Sequence, residues 1–236
     1  DMGCLDASAI LSHELLLYDT QAPALVGRRK QFICGARLDN LLSCFVALHS
    51  LIESKNETAS VLVCNDHEEV GSVSASGAEG PFLKSVLQRM LESESKSSGS
   101  SAASFDRAIQ KSVLLSVDNA HGVHPNFSDK HDSAHSPKLN AGPVIKINAN
   151  QRYASNSESI ALLKSLCNRL NIGHQSFVMR SDMGCGSTIG PITSALLGIS
   201  TVDIGIASFG MHSIRESAGA ADVDSMATLI QAFYDR

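Results

Sequence analysis

Two adjacent carboxylates, Glu68 and Glu69, lie in the octet Asn65-Asp66-His67-Glu68-Glu69-Val70-Gly71-Ser72, where one could hold a metal ion while the other moves protons. They follow Ala59-Ser60-Val61-Leu62-Val63-Cys64, an apolar and β-branched run that reads as a buried strand. Neighbours on a strand point to opposite faces, so the pair can serve one substrate only if the chain turns there, and Gly71 permits that turn. Taken alone, the octet reads equally well as a solvated acidic loop. Asp39, Asp118 and His212 supply three further donors, each expected just after a strand of its own. Three carboxylates and an imidazole suit zinc, manganese or cobalt, and with the second glutamate they exceed what one tetrahedral ion needs. Two ions roughly 3.5–4 Å apart and sharing a carboxylate are the arrangement this donor set predicts. Each donor also has a plainer reading: Asp39 as a helix cap, Asp118 and His212 as ordinary loop residues.

The elements that must position these donors alternate. Phe32 to Leu38 is expected to be a strand and Leu41 to Ser54 a helix that Asp39 or Asn40 can cap. After the Glu-Glu loop come a helix over Pro81 to Leu91 and a low-complexity serine-rich loop, 93–101. Ser112 to Val117 is a strand delivering Asp118, and 119–139 is a histidine-rich loop holding His121, His124, His131 and His135, more plausible as loop-ordering groups than as metal ligands. Strands are then expected over Gly142 to Ile147, Gln175 to Met179 and Thr201 to Ile206, with helices over Ser157 to Leu170, into Leu197 after the glycine-rich turn 184–190, and over Ala221 to Tyr234. This alternation predicts an α/β fold, a largely parallel sheet sandwiched by helices, with its ligands along one edge.

Composition narrows the classes. A chain of 236 residues with 43% hydrophobic and 18% charged residues can bury a core and is neither disordered nor membrane-like, and it has no apolar run long enough for a transmembrane helix. A net charge of -5 with scattered Lys and Arg argues against nucleic acid as a main partner. Six cysteines, at 4, 34, 44, 64, 167 and 185, form no CxxC pair, so reduced thiols and a cytoplasmic setting are expected.

Arg37-Leu38-Asp39-Asn40, Glu68-Glu69-Val70-Gly71-Ser72, Asp118-Asn119-Ala120-His121, Gly142-Pro143-Val144-Ile145-Lys146, Gln151-Arg152-Tyr153-Ala154-Ser155, Cys185-Gly186-Ser187-Thr188-Ile189-Gly190-Pro191 and Met211-His212-Ser213-Ile214-Arg215-Glu216 resemble, in order, the signatures of the aspartyl aminopeptidases, a family of dinuclear metallopeptidases. The resemblance implies that Asp39 bridges two divalent ions, most simply Zn2+ with Mn2+ or Co2+ as alternatives. It implies that Asp118 completes the first site, that Glu69 and His212 hold the second, and that Glu68 is the general base activating the bridging water. Lys146 and Tyr153 fall where the family recognises substrate, and the lysine suits an acidic side chain. Release of N-terminal Asp or Glu from peptides, and assembly into a tetrahedral dodecamer, are what the family implies. Residues 1–30 are expected to be the end of a dimerisation domain with its linker, and 31–236 the C-terminal part of the catalytic domain. The family's first metal site also takes a histidine from a more N-terminal segment with no counterpart here. The chain is therefore expected to lack an N-terminal portion, and an incomplete homologue serving as a scaffold subunit, or a related metal-dependent hydrolase of other specificity, is the alternative.

Overall fold

The structure, a computed structural model, describes residues 6–55, 57–95 and 101–236. In chain order its elements are β1 (Ala24–Val26), β2 (Phe32–Gly35), α1 (Leu38–Ile52), α2 (Phe82–Ser95), α3 (Ser101–Lys111), β3 (Val113–Val117), β4 (Ala120–His121), β5 (Val144–Ile147), α4 (Ser157–Leu170), β6 (Gln175–Val178), α5 (Ile189–Leu197), β7 (Ser200–Gly205), β8 (Ala207–Phe209), β9 (Glu216–Gly219) and α6 (Ala220–Tyr234). They build two sheets, of order β3-β7-β5-β6 and β1-β2-β9-β8-β4.

The four-stranded sheet carries the core, and alternation along β3 shows how. Val113, Leu115 and Val117 pack with Val202 and Ile204 against α1, α4 and α6, among them the fully buried Val46, Leu163, Met226 and Leu229. Leu114 turns the other way and meets Phe105 and Ile109 of α3 and Leu87 of α2. Helices therefore cover both faces, as the apolar strand runs require. The local signals are sharpest at α4. Asn156 accepts hydrogen bonds from the N–H groups of Glu158 and Ser159 in a capping box, and Asn171 ends the helix in the left-handed region.

Of three expectations, one holds and two need correction. First, the sheet is largely parallel as expected, in β3 with β7 and β5 with β6, with β5 running antiparallel to β7. The start of β5 thus lies beside the ends of β3 and β7. Second, Ala59 to Cys64 joins no ladder. A strand needs a partner along its edge, and a cleft of about 250 Å3, lined by Val61, Leu62, Val63 and Cys64 on one side and by Val113 to Asp118 on the other, separates this run from the edge strand β3. Third, the histidine-rich loop contains a two-residue strand, β4, that pairs with β8. The serine-rich loop 93–101 falls largely outside the described residues, although α2 reaches Ser95 and α3 starts at Ser101.

The donors consequently do not share one sheet edge. Asp39 follows β2 and His212 follows β8, both in the five-stranded sheet, whereas Asp118 follows β3 in the four-stranded one. The chain passes from β3 into β4, and from β7 into β8, so strands leave one sheet and enter the other side by side. Asp118 sits at that crossing, and the site forms where the two sheets meet.

Candidate active site

Asp39 owes its position to a break in a helix. Arg37 takes a left-handed φ of 56°, the Asp39–Asn40 peptide is cis, and Asp39 itself has ψ 109°, so the first turn of α1 is not helical. No side chain caps α1, which corrects the capping role for Asp39, and the carboxylate points inward with its side chain 4% exposed. His212 is held in a turn closed by the Ser213 N–H donating to Gly210 O at 2.8 Å, with φ 68° at His212. Its Nε2 stands 3.2 Å from Asp39 Oδ2 and 3.1 Å from Glu69 Oε2.

The glutamates lie on the tight turn that Gly71 was expected to allow. His67 has φ 59°, Glu68–Val70 form one 3-10 turn, and Gly71 closes it at φ 102°, in the region that favours glycine. The Gly71 N–H donates to Glu68 O at 3.0 Å, and His67 Nδ1 is 2.9 Å from Ser74 Oγ. This turn separates two side chains that would oppose one another on a strand. Glu69 reaches His212, while Glu68 lines the same pocket of about 110 Å3 with Asp39, Asp118, Lys146 and Tyr153.

The charges in that pocket are far from neutral pairing. Burial, then the Asp118 and Glu69 carboxylates, push Asp39 up to about 9. Burial with the Asp118 and Glu69 charges also raises Glu68. Burial works against ionisation of Asp118 as well, yet Lys146, whose Nζ donates to Oδ2 at 3.0 Å, and a hydrogen bond with Asp39 hold it below the ordinary value. Lys146 is buried and its Nζ also lies 5.6 Å from the Tyr153 ring centroid. Tyr153 is raised by burial and by its hydrogen bond with Cys185.

A divalent cation fits this arrangement. Ligand atoms of Asp39, Glu69 and His212 all lie within 4.8 Å of one another, and they are the one such group among the described residues. Asp39 Oδ1 is buried without a hydrogen-bond partner, and a cation would satisfy it while relieving the repulsion among the carboxylates. Asp118 stands beside Asp39 and is drawn to Lys146. Of the loop histidines, His121 lines the same pocket and packs on Phe177, and the others order their own loop. His124 accepts from the Asn126 N–H and packs on Phe127 and Phe209, His131 meets Phe177, and His135 Nδ1 lies 2.7 Å from Asp132.

Glu216 received no role from the sequence. Its buried carboxylate accepts the Asp39 N–H at 2.8 Å and the His212 N–H at 2.7 Å, tying two candidate ligands to β9 through their backbones. A charged residue opening a buried strand is the signal that could have marked it.

The sequence profile of the Aminopeptidase I zinc metalloprotease (M18) family matches residues 2–234. The chain is 58% identical over 226 residues to the "Probable M18 family aminopeptidase 2" of Ectopseudomonas mendocina, covering 96% of this chain and 51% of that protein. The namesake from Pseudomonas syringae pv. syringae is 54% identical, with 98% and 52% covered. The chain thus spans about half the length of these curated relatives. Among solved structures, the Ape4 and Nbr1 complex matches at 41% identity with a TM-score of 0.85, over 92% of this chain and 42% of that one. The S. cerevisiae mApe1 dodecamer matches at 30% with a TM-score of 0.80, over 92% and 49%. A Thermotoga maritima M18 aminopeptidase, at 24% identity and a TM-score of 0.85, shares the fold. The profile over nearly the whole chain and relatives of this identity show that the chain belongs to the M18 family of zinc metallo-aminopeptidases.

Proposed function

We propose that the full-length protein is a dinuclear metal aminopeptidase that removes N-terminal Asp or Glu from peptides. The observation that carries this reading is the convergence of Asp39, Glu69 and His212 with Glu68 in the same pocket. Asp39 would bridge the ions, Asp118 would complete the first site, and Glu69 and His212 would hold the second. Zinc bound there supplies Lewis acidity and lowers the pKa of a coordinated water. Glu68 would take the proton of the attacking water and pass it to the leaving amine, a role supported by burial and carboxylate neighbours that raise it above its ordinary value. Lys146 and Tyr153 form the substrate side, and the lysine offers its charge to an acidic side chain.

The full-length protein would assemble as a homo-oligomer, a tetrahedral dodecamer by the family pattern, with residues 1–30 leading out of a dimerisation domain. A dodecamer of mApe1, whose chain this one resembles, supports that reading. No described helix is long and apolar enough to cross a membrane, and the five described cysteines are unpaired, which supports a reducing, cytoplasmic setting.

The test is Glu68→Gln in the full-length enzyme. Turnover should fall by about 10^2–10^4-fold with metal content unchanged, and near-normal turnover would defeat the role of Glu68. Hydrolysis of Asp-, Glu-, Leu- and Lys-anilides tests specificity, where equal rates on Leu would remove the acidic preference. Two ions per chain together with full turnover would rule out the scaffold alternative.

A further inference from the structure

Asp203 is a fully buried carboxylate on β7. Three donors from separate segments converge on it. Ser116 Oγ of β3 donates to Oδ1 at 2.5 Å, Thr188 Oγ1 to the same oxygen at 2.6 Å, and the Ala154 N–H to Oδ2 at 2.6 Å. The Asp203 N–H in turn donates to Ser155 Oγ at 2.9 Å. At Gly190, in the first turn of α5, any Cβ would stand 2.3 Å from Oδ2 and 2.4 Å from Oδ1, so the helix start is pressed onto the carboxylate.

The segments so gathered are those that wall the pocket. Tyr153 comes from the loop that Ala154 and Ser155 fasten, and Gly186, Ser187 and Thr188 come from the turn before α5. The two loops also meet each other, at the surface through exposed bonds that solvent weakens, Arg152 Nε to Cys185 O at 3.1 Å and Ser187 Oγ to Arg152 O at 3.2 Å, and beneath it through the hydrogen bond between Tyr153 and Cys185. Their common anchor to the sheet is Asp203. Burying a carboxylate without a neighbouring cation bonded to it is costly, and an apolar residue of similar volume would pack here at lower cost.

We propose that Asp203 is a positioning residue for peptide binding: by joining both loops to β3 and β7 it sets the wall that Tyr153 and residues 186–188 present to substrate, while touching neither substrate nor metal. This rests on the aminopeptidase reading above. Asp203→Asn weakens the anchor in either orientation of its amide: with the oxygen toward Ser116 and Thr188 the nitrogen faces the Ala154 N–H, donor against donor, and turned the other way it removes the oxygen to which both hydroxyls donate.

The experiment uses the full-length, zinc-loaded protein, with aspartyl anilide kinetics, metal analysis and amide hydrogen exchange. Asp203→Asn should raise KM about tenfold while kcat changes much less, as expected for a wall displaced by a fraction of an ångström. Metal content should be unchanged, and exchange should quicken over 150–156 and 184–190 but not in β3 or β7. Thr188→Val should move KM the same way through its own loop, and Thr188→Ser, which restores the hydroxyl, should return it to the original value. Unchanged KM in Asp203→Asn overturns the proposal, as does a loss of rate that follows metal loss or global unfolding. If Asp203→Asn does not fold, equal KM values for Thr188→Val and Thr188→Ser overturn it instead. Should the unmodified enzyme cleave no acidic anilide, the functional reading fails, and the exchange pattern still decides whether Asp203 holds the loops.

Discussion

Two buried carboxylates stand behind the pocket and hold opposite sides of it. Glu216 accepts only backbone N–H groups, those of Asp39 and His212. Asp203 accepts one hydroxyl and one N–H from the two loops that wall the pocket, Thr188 and Ala154, and a second hydroxyl from Ser116 of β3. The contrast shows two ways of building a site. On the ligand side the backbone is fastened so that the side chains stay free to bind a cation. On the proposed substrate side the loops themselves are fastened, and their surface lines the pocket.

The largest departure is expected from Glu216→Gln, whose amide nitrogen would oppose one of the two N–H donors. Zinc affinity should fall about 10- to 100-fold, the usual cost of removing a group that orients ligands, and saturating zinc should restore kcat. Titration of the metal-depleted protein with zinc measures this. A rise in KM at full zinc occupancy would instead erase the distinction from Asp203. Lys146→Met comes next. Its Nζ is the buried cation of the pocket, so the preference for aspartyl over leucyl anilide should fall by roughly 10-fold or more, the worth of one charge-assisted hydrogen bond. A preserved preference would assign acidic recognition to another group.

The ligand side should make the metal-depleted protein sensitive to alkali. Asp39 is pushed up to about 9 from an ordinary 3.8, first by burial and then by the Asp118 and Glu69 carboxylates. The folded state then holds a proton that the unfolded chain releases, so stability falls as pH rises between 3.8 and about 9. Thermal melts of metal-depleted protein should show Tm dropping across that window, with the zinc-loaded form protected. Equal slopes for the two forms would show that Asp39 is not where the cation sits.

Much of this was legible in the sequence. The strands ending at Asp118 and near His212, and the amphipathic helix α4, follow from apolar runs and periodicity that act locally. The turn at Gly71 was legible for the same reason. Ala59 to Cys64 has a strand's composition but no ladder, because pairing depends on a neighbour that lies across a cleft. Asp39 looked like a cap because its spacing fits one, and the backbone before it bends the other way. Glu216 and Asp203 were invisible as supports, since each has a partner far along the chain, Asp39 177 residues from Glu216 and Ser116 87 residues from Asp203, and a lone acid in an apolar strand does not announce its donors.

The smallest effect provides the control on this comparison. Asn156 follows directly on the loop that Asp203 holds, and its side chain accepts from Glu158 N and Ser159 N at 3.0 Å each while Ser159 Oγ accepts the Asn156 N–H at 3.1 Å. Asn156→Ala should cost about 1 kcal/mol of stability through the lost cap of α4. If the wall is fastened from beneath by Asp203 and Ser155, KM for aspartyl anilide should stay where it was. Chemical denaturation and steady-state kinetics on the same preparation separate the two quantities. A KM that rises as far as in Asp203→Asn would mean that α4 sets the loop, and only the Glu216 side of the contrast would stand.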